Sequence, residues 1–417
     1  MISRIEALNY RCLRYVRQEL EPFQVLVGPN ASGKSTFLDT VGLVRDMLRD
    51  GLVKAVQDRS ADLRALTWMG EERQFELAIE LAIPKDRRDR LPQTTYERAR
   101  YEIAVGLNGL GELAILGENL WLKPRGEGDP QLRLKFPDPV LPPDFLMIQE
   151  GRHSPRGWKK VLTKKAGSGN DYFFAEATRW NNYFHLGPQK LALANLPEDE
   201  ERFPVATWFR RMLMEGTQRL MLNSEAMRQP ARAGSPVEFQ PDGSNLPWVV
   251  EDLGKRAPES LGRWVDHLRT ALPDLKAVHT VERPEDRSRY LRIDYEGGCS
   301  LPSWVVSDGT LRLLALTLIA YLEGPERIYL IEEPENGIHP LAVETVFQSL
   351  SSAYSAQILC ASHSPVILSR AEPNQLLCFA RSDEGSADIV RGSEHPILQD
   401  WRRGTDLGTL FASGVLG

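Results

Sequence analysis

The sequence predicts an α/β fold with a mixed core of two sheets, on three observations. Residues 22–27 and 328–331 are short apolar runs without alternation, which is typical of strands buried on both faces of a parallel sheet. Residues 36–56 repeat apolar side chains at helical spacing, shortly after the first of these runs. Residues 73–82 and 98–106 alternate apolar and polar side chains, which indicates neighbouring antiparallel strands.

The composition is that of a globular protein without a global basic field. The 417 residues suffice for two or three domains, and hydrophobic and charged fractions of 42% and 26% are ordinary. The net charge of −6 does not indicate nucleic-acid binding, although it is compatible with a local basic patch. Four widely spaced cysteines without a CxxC pair favour a reducing compartment and no structural zinc.

The chain carries no sequence sign of secretion or membrane insertion. Its N-terminus alternates polar and apolar residues with charges throughout, and residues 2–10 therefore predict a strand rather than a signal peptide. No apolar run reaches the ~18 residues that a bilayer-spanning helix needs. We expect a cytoplasmic protein that does not engage a membrane.

The order of the elements predicts an α/β core that is interrupted by an insertion. Strands predicted at 112–122 and 131–136 extend the first sheet, and a proline-dense stretch at 138–144 ends it. Helical spacing then dominates, as in residues 206–222 and 259–272. We predict an N-terminal part of the core, an inserted mainly helical lobe and a C-terminal part of the core, with the bounds 1–137, 138–288 and 289–417.

The C-terminal part of the core is predicted from four further segments. Residues 289–295, 357–362 and 376–381 have the composition of strands, and residues 341–352 have that of a helix. His363 directly follows the second of these strands. Polar groups at the carboxyl ends of strands occupy the edge at which open α/β sheets bind ligands.

The loop after the strand at 22–27 matches a phosphate-binding pattern, GPNASGKST at residues 28–36. Gly28 and Gly33 allow the backbone to curl so that its N–H groups point at phosphate oxygens. Lys34 would neutralise β- and γ-phosphate charge, and the Ser35 hydroxyl would complete a Mg²⁺ shell. The residues expected to contact the nucleotide are Asn30, Ala31, Ser32, Gly33, Lys34, Ser35 and Thr36.

A second constellation lies between Ser307 and Pro340. It opens with the turn Ser307-Asp308-Gly309-Thr310 before a helical segment, and such a turn offers backbone N–H groups to an anion. It continues to the strand at 328–331, which ends in Glu332 and Glu333. Two adjacent carboxylates repel each other without a cation, so they suit a metal ion and a water.

The basic run at 151–165 is open to two interpretations. It holds six Lys or Arg residues, no acid, and Trp158, and such a segment can contact nucleic-acid phosphates and stack a base. Basic runs more often face water, so a mobile solvated loop is the favoured interpretation.

Together these motifs resemble ATP-binding-cassette ATPases of the RecF, structural-maintenance-of-chromosomes and OLD type. In that resemblance residues 28–36 are Walker A and 328–333 are Walker B. The turn at 307–310 stands at the signature motif, residues 336–339 resemble the D-loop, and His363 resembles the switch histidine. The resemblance implies a P-loop ATPase head that uses ATP and Mg²⁺.

The resemblance also implies residue roles. Glu332 orients Mg²⁺ with Ser35, Glu333 polarises the attacking water, and His363 hydrogen-bonds the γ-phosphate. Arg11 matches an arginine that related heads point at the nucleotide, and a plain surface arginine is its alternative.

The resemblance further implies a homodimer or higher oligomer. Ser307 and Gly309 would contact the ATP bound by the other subunit, so that ATP lies between two heads. The family's Q-loop glutamine is not identifiable in the sequence, for which Gln149 and the region around Trp68 are weak candidates.

Three functions remain open at this point. The leading one is a hydrolysing ATPase that gates a DNA or protein partner, with an effector encoded nearby, in bacterial anti-phage defence. The second is a RecF-like DNA-repair ATPase that uses the basic run, with Lys159, Lys160, Lys164 and Lys165 on DNA. The third is a non-hydrolysing ATP sensor that serves as a scaffold for a toxin or nuclease.

Overall fold

The computed structural model describes residues 1–93, 95–125, 134–148, 155–399 and 407–412. Within them the chain forms three β-sheets and twelve α-helices. No helix among the described residues has the length and apolar character required to cross a membrane.

The first sheet is antiparallel throughout and has eight strands, in the order β2-β1-β4-β5-β6-β7-β8-β9. Its strands are β1 (Ile2–Tyr10), β2 (Leu13–Glu19), β4 (Gln74–Ala82), β5 (Arg98–Leu107), β6 (Leu113–Lys123), β7 (Lys159–Lys165), β8 (Asp171–Phe174) and β9 (Asn181–Phe184). The predicted antiparallel pairing of the strands at 73–82 and 98–106 is confirmed by the β4–β5 register.

The second sheet has six strands in the order β10-β14-β15-β3-β16-β17, and its first five strands run parallel. Its strands are β3 (Phe23–Val27), β10 (Thr217–Leu220), β14 (Arg327–Glu332), β15 (Ala356–Ala361), β16 (Leu376–Arg381) and β17 (Ala387–Arg391). Strands β11 (Leu275–Glu282), β12 (Arg289–Tyr295) and β13 (Ser300–Pro302) form the third sheet.

The helices flank these sheets, and short 3₁₀ turns lie between several of the elements. They are α1 (Lys34–Asp50), α2 (Leu52–Gln57), α3 (Lys85–Arg88), α4 (Pro204–Met214), α5 (Ser224–Arg228), α6 (Leu246–Arg256), α7 (Pro258–Leu268), α8 (Asp308–Leu318), α9 (Pro340–Ser351), α10 (Pro365–Arg370), α11 (Pro396–Gln399) and α12 (Leu407–Ala412).

The second sheet lies between two hydrophobic cores, which explains why its strands read as unbroken apolar runs. Leu26 and Leu330 pack into the core that the sheet shares with α1 and the first sheet. Val25 and Ile331 pack into the opposite core, together with helices α6 to α9. Because successive side chains of a strand face opposite sides, both faces must be apolar when both are covered.

The first sheet buries a network of charges on its central strands. Glu80 is fully buried and its Oε1 lies 3.2 Å from Arg4 Nη1, 3.1 Å from Arg100 Nη1 and 2.6 Å from Lys123 Nζ. Burial alone would raise the pKa of Glu80, but these three cations outweigh it and lower that pKa to about 2. The carboxylate is therefore ionised and paired at neutral pH.

The structure corrects the interpretation of the basic run at 151–165. Residues 151–154 lie outside the described residues, and 159–165 form strand β7 rather than a mobile loop. Lys164 is buried and pairs with Asp171 at 3.1 Å, and Lys159 Nζ donates to the Glu176 carbonyl at 2.6 Å. Both lysines therefore bind partners within the protein, because a strand directs alternate side chains inward.

Two other predicted elements differ from the structure. The helix predicted over 206–222 ends at Met214, and residues 217–220 form β10 instead. A Cβ at Gly216 would lie 2.8 Å from the Met212 carbonyl oxygen, so this glycine permits the close turn between them. Of the strand predicted at 131–136, residues 131–133 lie outside the described residues and 134–136 are not in a strand.

The first secondary-structure elements described within the segment 138–288 are strands. Strands β7 to β9 extend the first sheet beyond β6, and helices start at α4. The first part of this segment is thus continuous with the N-terminal core, and the division at 138 and 288 stays a prediction.

Candidate functional site

Three parallel strands of the second sheet deliver the predicted site residues to one edge. Strand β15 lies between β14 and β3, and the three run parallel. The carboxyl end of β15 leads to His363, and that of β14 leads to Glu332 and Glu333. The carboxyl end of β3 leads to the loop that begins at Gly28. This edge of a parallel sheet is where α/β folds bind ligands.

The loop at 28–33 requires glycine at both ends. Gly28 has φ 146°, and a Cβ there would lie 2.2 Å from the Phe379 carbonyl oxygen. Gly33 has φ 105° and caps α1, and a Cβ there would lie 2.9 Å from Ala387 Cβ. The loop therefore curls tightly onto β16 and β17 and leads into the N-terminus of a 17-residue helix, a favourable position for an anion.

Lys34 is folded back onto this loop. Its Nζ donates to the carbonyl oxygens of Gly28 and Pro29, each at 2.8 Å. Burial lowers the pKa of Lys34 to about 8, against the opposing charges of Glu333 and Glu332. The two carbonyls thus hold the ammonium against the loop.

Glu332 is the meeting point of three elements. Its Oε2 accepts a hydrogen bond from the Ser35 hydroxyl of α1, and its Oε1 lies 2.5 Å from Arg219 Nη2 of β10. A hydroxyl and a carboxylate side by side are the hard oxygen donors that Mg²⁺ prefers, and Mg²⁺ retains several waters. No group of three or more His, Cys, Asp or Glu residues suited to a metal occurs in the described part of the chain. Ser35 and Glu332 fit a Mg²⁺ that is completed by water and phosphate.

Glu333 leaves the strand in a constrained conformation. Its φ is 48°, a value uncommon outside glycine, while its N–H donates to the Ala361 carbonyl at 2.8 Å. Its exposed carboxylate accepts a hydrogen bond from the Asn336 side chain. The turn directs this acid away from Glu332, so the two neighbouring carboxylates have different partners.

Glu335 connects the loop after β14 with the loop after β15. Its Oε1 accepts from the Ser362 hydroxyl at 2.8 Å and from the His363 backbone N–H at 3.0 Å. Its Oε2 is buried and has no hydrogen-bond partner among the described residues. Burial lowers the pKa of His363, and the charge of Lys34 lowers it further, so the imidazole is neutral at pH 7.

Ser307 and Gly309 lie at the N-terminus of helix α8. The Ser307 hydroxyl accepts from the Thr310 N–H at 3.2 Å and caps α8, as the turn predicted. Asp308 pairs with Arg228 at 2.6 Å. A Cβ at Gly309 would lie 2.5 Å from the Gly337 carbonyl oxygen. The signature turn thus packs on the 336–338 loop of the same chain.

Arg11 is tied to helix α1. Its Nη1 lies 3.3 Å from Asp39 Oδ2, and its guanidinium lies over the Tyr10 ring at 5.6 Å. Asp39 also accepts from the Tyr10 hydroxyl at 2.6 Å and from Arg59. With 31% of its side chain exposed, Arg11 is half-buried beside the helix that follows the phosphate loop. Gln149 lies outside the described residues, and Trp68 begins a 3₁₀ turn.

Two residues of this site were missed in the sequence. Arg219 gave no signal because the strand that carries it follows α4 so closely that the two read as one helix. Glu335 did give a signal, since it is the third acid in Glu332-Glu333-Pro334-Glu335 and follows a buried strand.

Comparison with known proteins identifies the family. A family model described as "AAA domain, putative AbiEii toxin, Type IV TA system" matches residues 23–369. The chain belongs to this AAA domain family. The match extends from the strand before the phosphate loop to the helix after His363, and so includes the whole edge of the second sheet described above.

Solved structures confirm the fold of this AAA domain. An Smc head bound to the C-winged helix domain of ScpA has a TM-score of 0.53 at 15% identity, over 93% of this chain and 97% of that one. An Smc head with an extended coiled coil, bound to the C-terminal domain of ScpA from Pyrococcus furiosus, has a TM-score of 0.52 at 14% identity. The second match covers 93% of this chain and 95% of that one. The predicted ATP-binding-cassette head fold is confirmed, and no curated protein matches the sequence.

Proposed function

We propose that this AAA domain binds ATP with Mg²⁺ at the edge of the second sheet and hydrolyses it. The observation that carries the proposal is the convergence of Lys34, the Ser35–Glu332 pair and His363 at the carboxyl ends of adjacent parallel strands. Phosphoryl transfer requires chiefly positioning and neutralisation of charge, which this set of groups supplies.

Each residue has a distinct task in this proposal. Lys34 exchanges the Gly28 and Pro29 carbonyls for β- and γ-phosphate oxygens. Ser35 and Glu332 hold Mg²⁺, which supplies additional neutralisation of phosphate charge. Glu333 accepts a proton from the attacking water, and the neutral imidazole of His363 donates a hydrogen bond to the γ-phosphate. The backbone of residues 30–36 binds the phosphates. Arg11 contacts the nucleotide from its position beside α1.

We further propose that two copies enclose ATP between them. Ser307 and Gly309 contact their own α8 and 336–338 loop, and the Ser307 turn remains exposed. An exposed helix-capping turn suits a phosphate presented by another copy. Exposed apolar side chains beside the turn and the 336–339 loop, Trp304, Val305 and Leu341, support a protein interface on this face.

The proposed output is the gating of a protein effector in a bacterial defence system. The family's description, a putative AbiEii toxin of a type IV toxin–antitoxin system, supports a role in a system of that kind. The DNA-repair alternative relied on four lysines of the basic run, of which Lys159 and Lys164 are engaged inside the sheet. These contacts count against DNA binding at that segment.

The experiment compares wild type with Glu333→Gln in the presence of Mg²⁺ and ATP, with molecular mass measured by light scattering. Wild type should cycle and remain largely monomeric, whereas Glu333→Gln should accumulate as an ATP-bound dimer. Glu326→Gln is the control, because Glu326 is a surface acid whose side chain is 45% exposed. A wild type that dimerises with ATP yet releases no phosphate would favour the ATP-sensing scaffold.

A further inference from the structure

An arginine from outside the recognised motifs contacts the proposed metal ligand. Strand β10 is the outermost strand of the second sheet, and Arg219 is aligned with Leu330 of β14. From there the Arg219 guanidinium reaches Glu332 Oε1 at 2.5 Å. The other oxygen of Glu332 accepts from Ser35, so both oxygens of this carboxylate are engaged.

This ion pair differs from the structural pairs of the first sheet. The side chains of Arg219 and Glu332 are 43% and 28% exposed, whereas Glu80 and its partner Arg100 are 0% and 6% exposed. An ion pair that is half-exposed at a sheet edge contributes little to stability, because solvent screens it. Stability therefore provides little reason for an arginine at this position.

We propose that Arg219 is a positioning residue that keeps cations away from Glu332 until nucleotide is bound. A divalent cation that binds the Glu332 oxygen facing Arg219 must displace the guanidinium, against the repulsion of its charge. The phosphates of ATP bring several negative charges, which shift this competition in favour of the cation. Arg219 thus couples metal loading to nucleotide binding.

Arg219 is linked to the first sheet through helix α4. Strand β10 directly follows α4, whose N-terminal N–H groups at Val205 and Ala206 donate to the buried carboxylate of Glu176. Glu176 lies two residues after β8 of the first sheet. Helix α4 thus connects the first sheet to the strand that carries Arg219.

The test measures metal binding without nucleotide. Mn²⁺ is titrated into wild type, Arg219→Gln and Arg219→Lys, and free Mn²⁺ is followed by electron paramagnetic resonance. Removal of one positive charge a few ångströms from the metal should tighten Mn²⁺ binding on the order of tenfold in Arg219→Gln. Arg219→Lys retains the charge and should bind Mn²⁺ like wild type.

Arg327→Gln is the matched control. Arg327 lies on the neighbouring strand β14, at the end opposite Glu332, and pairs with Glu238 at 3.3 Å. Its substitution removes the same charge and should leave Mn²⁺ affinity unchanged. Thermal melting checks that each variant is folded.

Two results would overturn the proposal. One is an Arg219→Gln protein that binds Mn²⁺ no more tightly than wild type at any concentration. The other is an Arg219→Lys protein that tightens Mn²⁺ binding as much as Arg219→Gln, because charge would then not be the cause. The inference rests on the proposed function in taking Glu332 as the metal ligand. A wild type that fails to hydrolyse ATP would sink the proposed function and leave the Mn²⁺ comparison intact.

Discussion

The signature turn and the 336–338 loop meet at Gly309 and Gly337. A Cβ on residue 309 would lie 2.5 Å from the Gly337 carbonyl oxygen, closer than such atoms approach in proteins. Gly337 itself has φ 75° and belongs to the loop that begins with Glu333 and Asn336. The turn proposed to face a second copy is thus packed against the loop that carries the proposed acid for water activation.

Gly309→Ala should uncouple ATP binding from hydrolysis. The added methyl group forces the 336–338 loop to shift, while the phosphate loop retains its own contacts with β16 and β17. We expect ATP affinity of the monomer to stay within about twofold and phosphate release to fall about tenfold or more, since such misplacement of reacting groups is costly.

Gly262→Ala is the control for that prediction. Gly262 lies inside α7, and a Cβ there would meet no atom within 4 Å. The change should raise the free energy of unfolding by up to about 1 kcal/mol and leave phosphate release unaltered. Isothermal titration with ATP and a phosphate-release assay distinguish the two variants, and equal losses of affinity and rate in Gly309→Ala would contradict the account.

Glu335→Ala should impair the chemical step rather than nucleotide binding. The substitution removes the acceptor of the Ser362 hydroxyl and of the His363 N–H, so the imidazole loses its fixed position. We expect kcat to fall about tenfold to a hundredfold with KM for ATP nearly unchanged.

Glu344→Ala provides the comparison for Glu335. Glu344 is also an acid after the Walker B strand, but it is a half-exposed residue of α9 that pairs with Arg370. Its loss should leave both kinetic constants as in wild type. A rise in KM without a fall in kcat for Glu335→Ala would assign Glu335 to nucleotide binding instead.

Glu80 should make stability depend on pH in the acidic range. Its pKa is about 2 in the folded chain and near 4.5 in the unfolded chain, so its contribution is complete above pH 4.5 and is lost as pH falls through 2. Glu80→Gln removes the negative charge that three buried cations share. The change should lower the free energy of unfolding by about 3–5 kcal/mol at pH 7.

Urea unfolding of Glu80→Gln and wild type across pH measures this contribution. The difference in unfolding free energy should shrink as pH falls below 4.5, because wild type then loses the same charge. Glu384→Gln, which breaks the exposed pair with Arg14, should change stability by less than about 1 kcal/mol at every pH. A pH-independent difference for Glu80→Gln would contradict the assignment.

The sequence alone predicted the elements in which the local pattern agrees with the long-range packing. The strands that lead to Lys34, Glu332 and His363 are covered on both faces, so their unbroken apolar runs identified them directly. The phosphate loop was recognisable because its glycines satisfy backbone requirements that few other residues meet. These features gave the fold class and the edge at which the site lies.

Patterns failed where a contact joins distant parts of the chain. Arg219 and Glu332 are 113 residues apart, and only the pairing of β10 with β14 brings them together. The basic run looked solvated because its acidic partners, such as Asp171, lie on the next strand rather than within it. Spacing along one element cannot reveal a partner on another.

Phosphate release from Mg²⁺ and ATP by wild type, Glu333→Gln and Glu326→Gln tests the central claim most directly. Wild type and Glu326→Gln should turn over at the same rate, and Glu333→Gln should retain ATP affinity while its turnover falls at least about a hundredfold. Equal turnover by wild type and Glu333→Gln, or none by wild type, would contradict a hydrolytic site built on Lys34, Glu332 and Glu333.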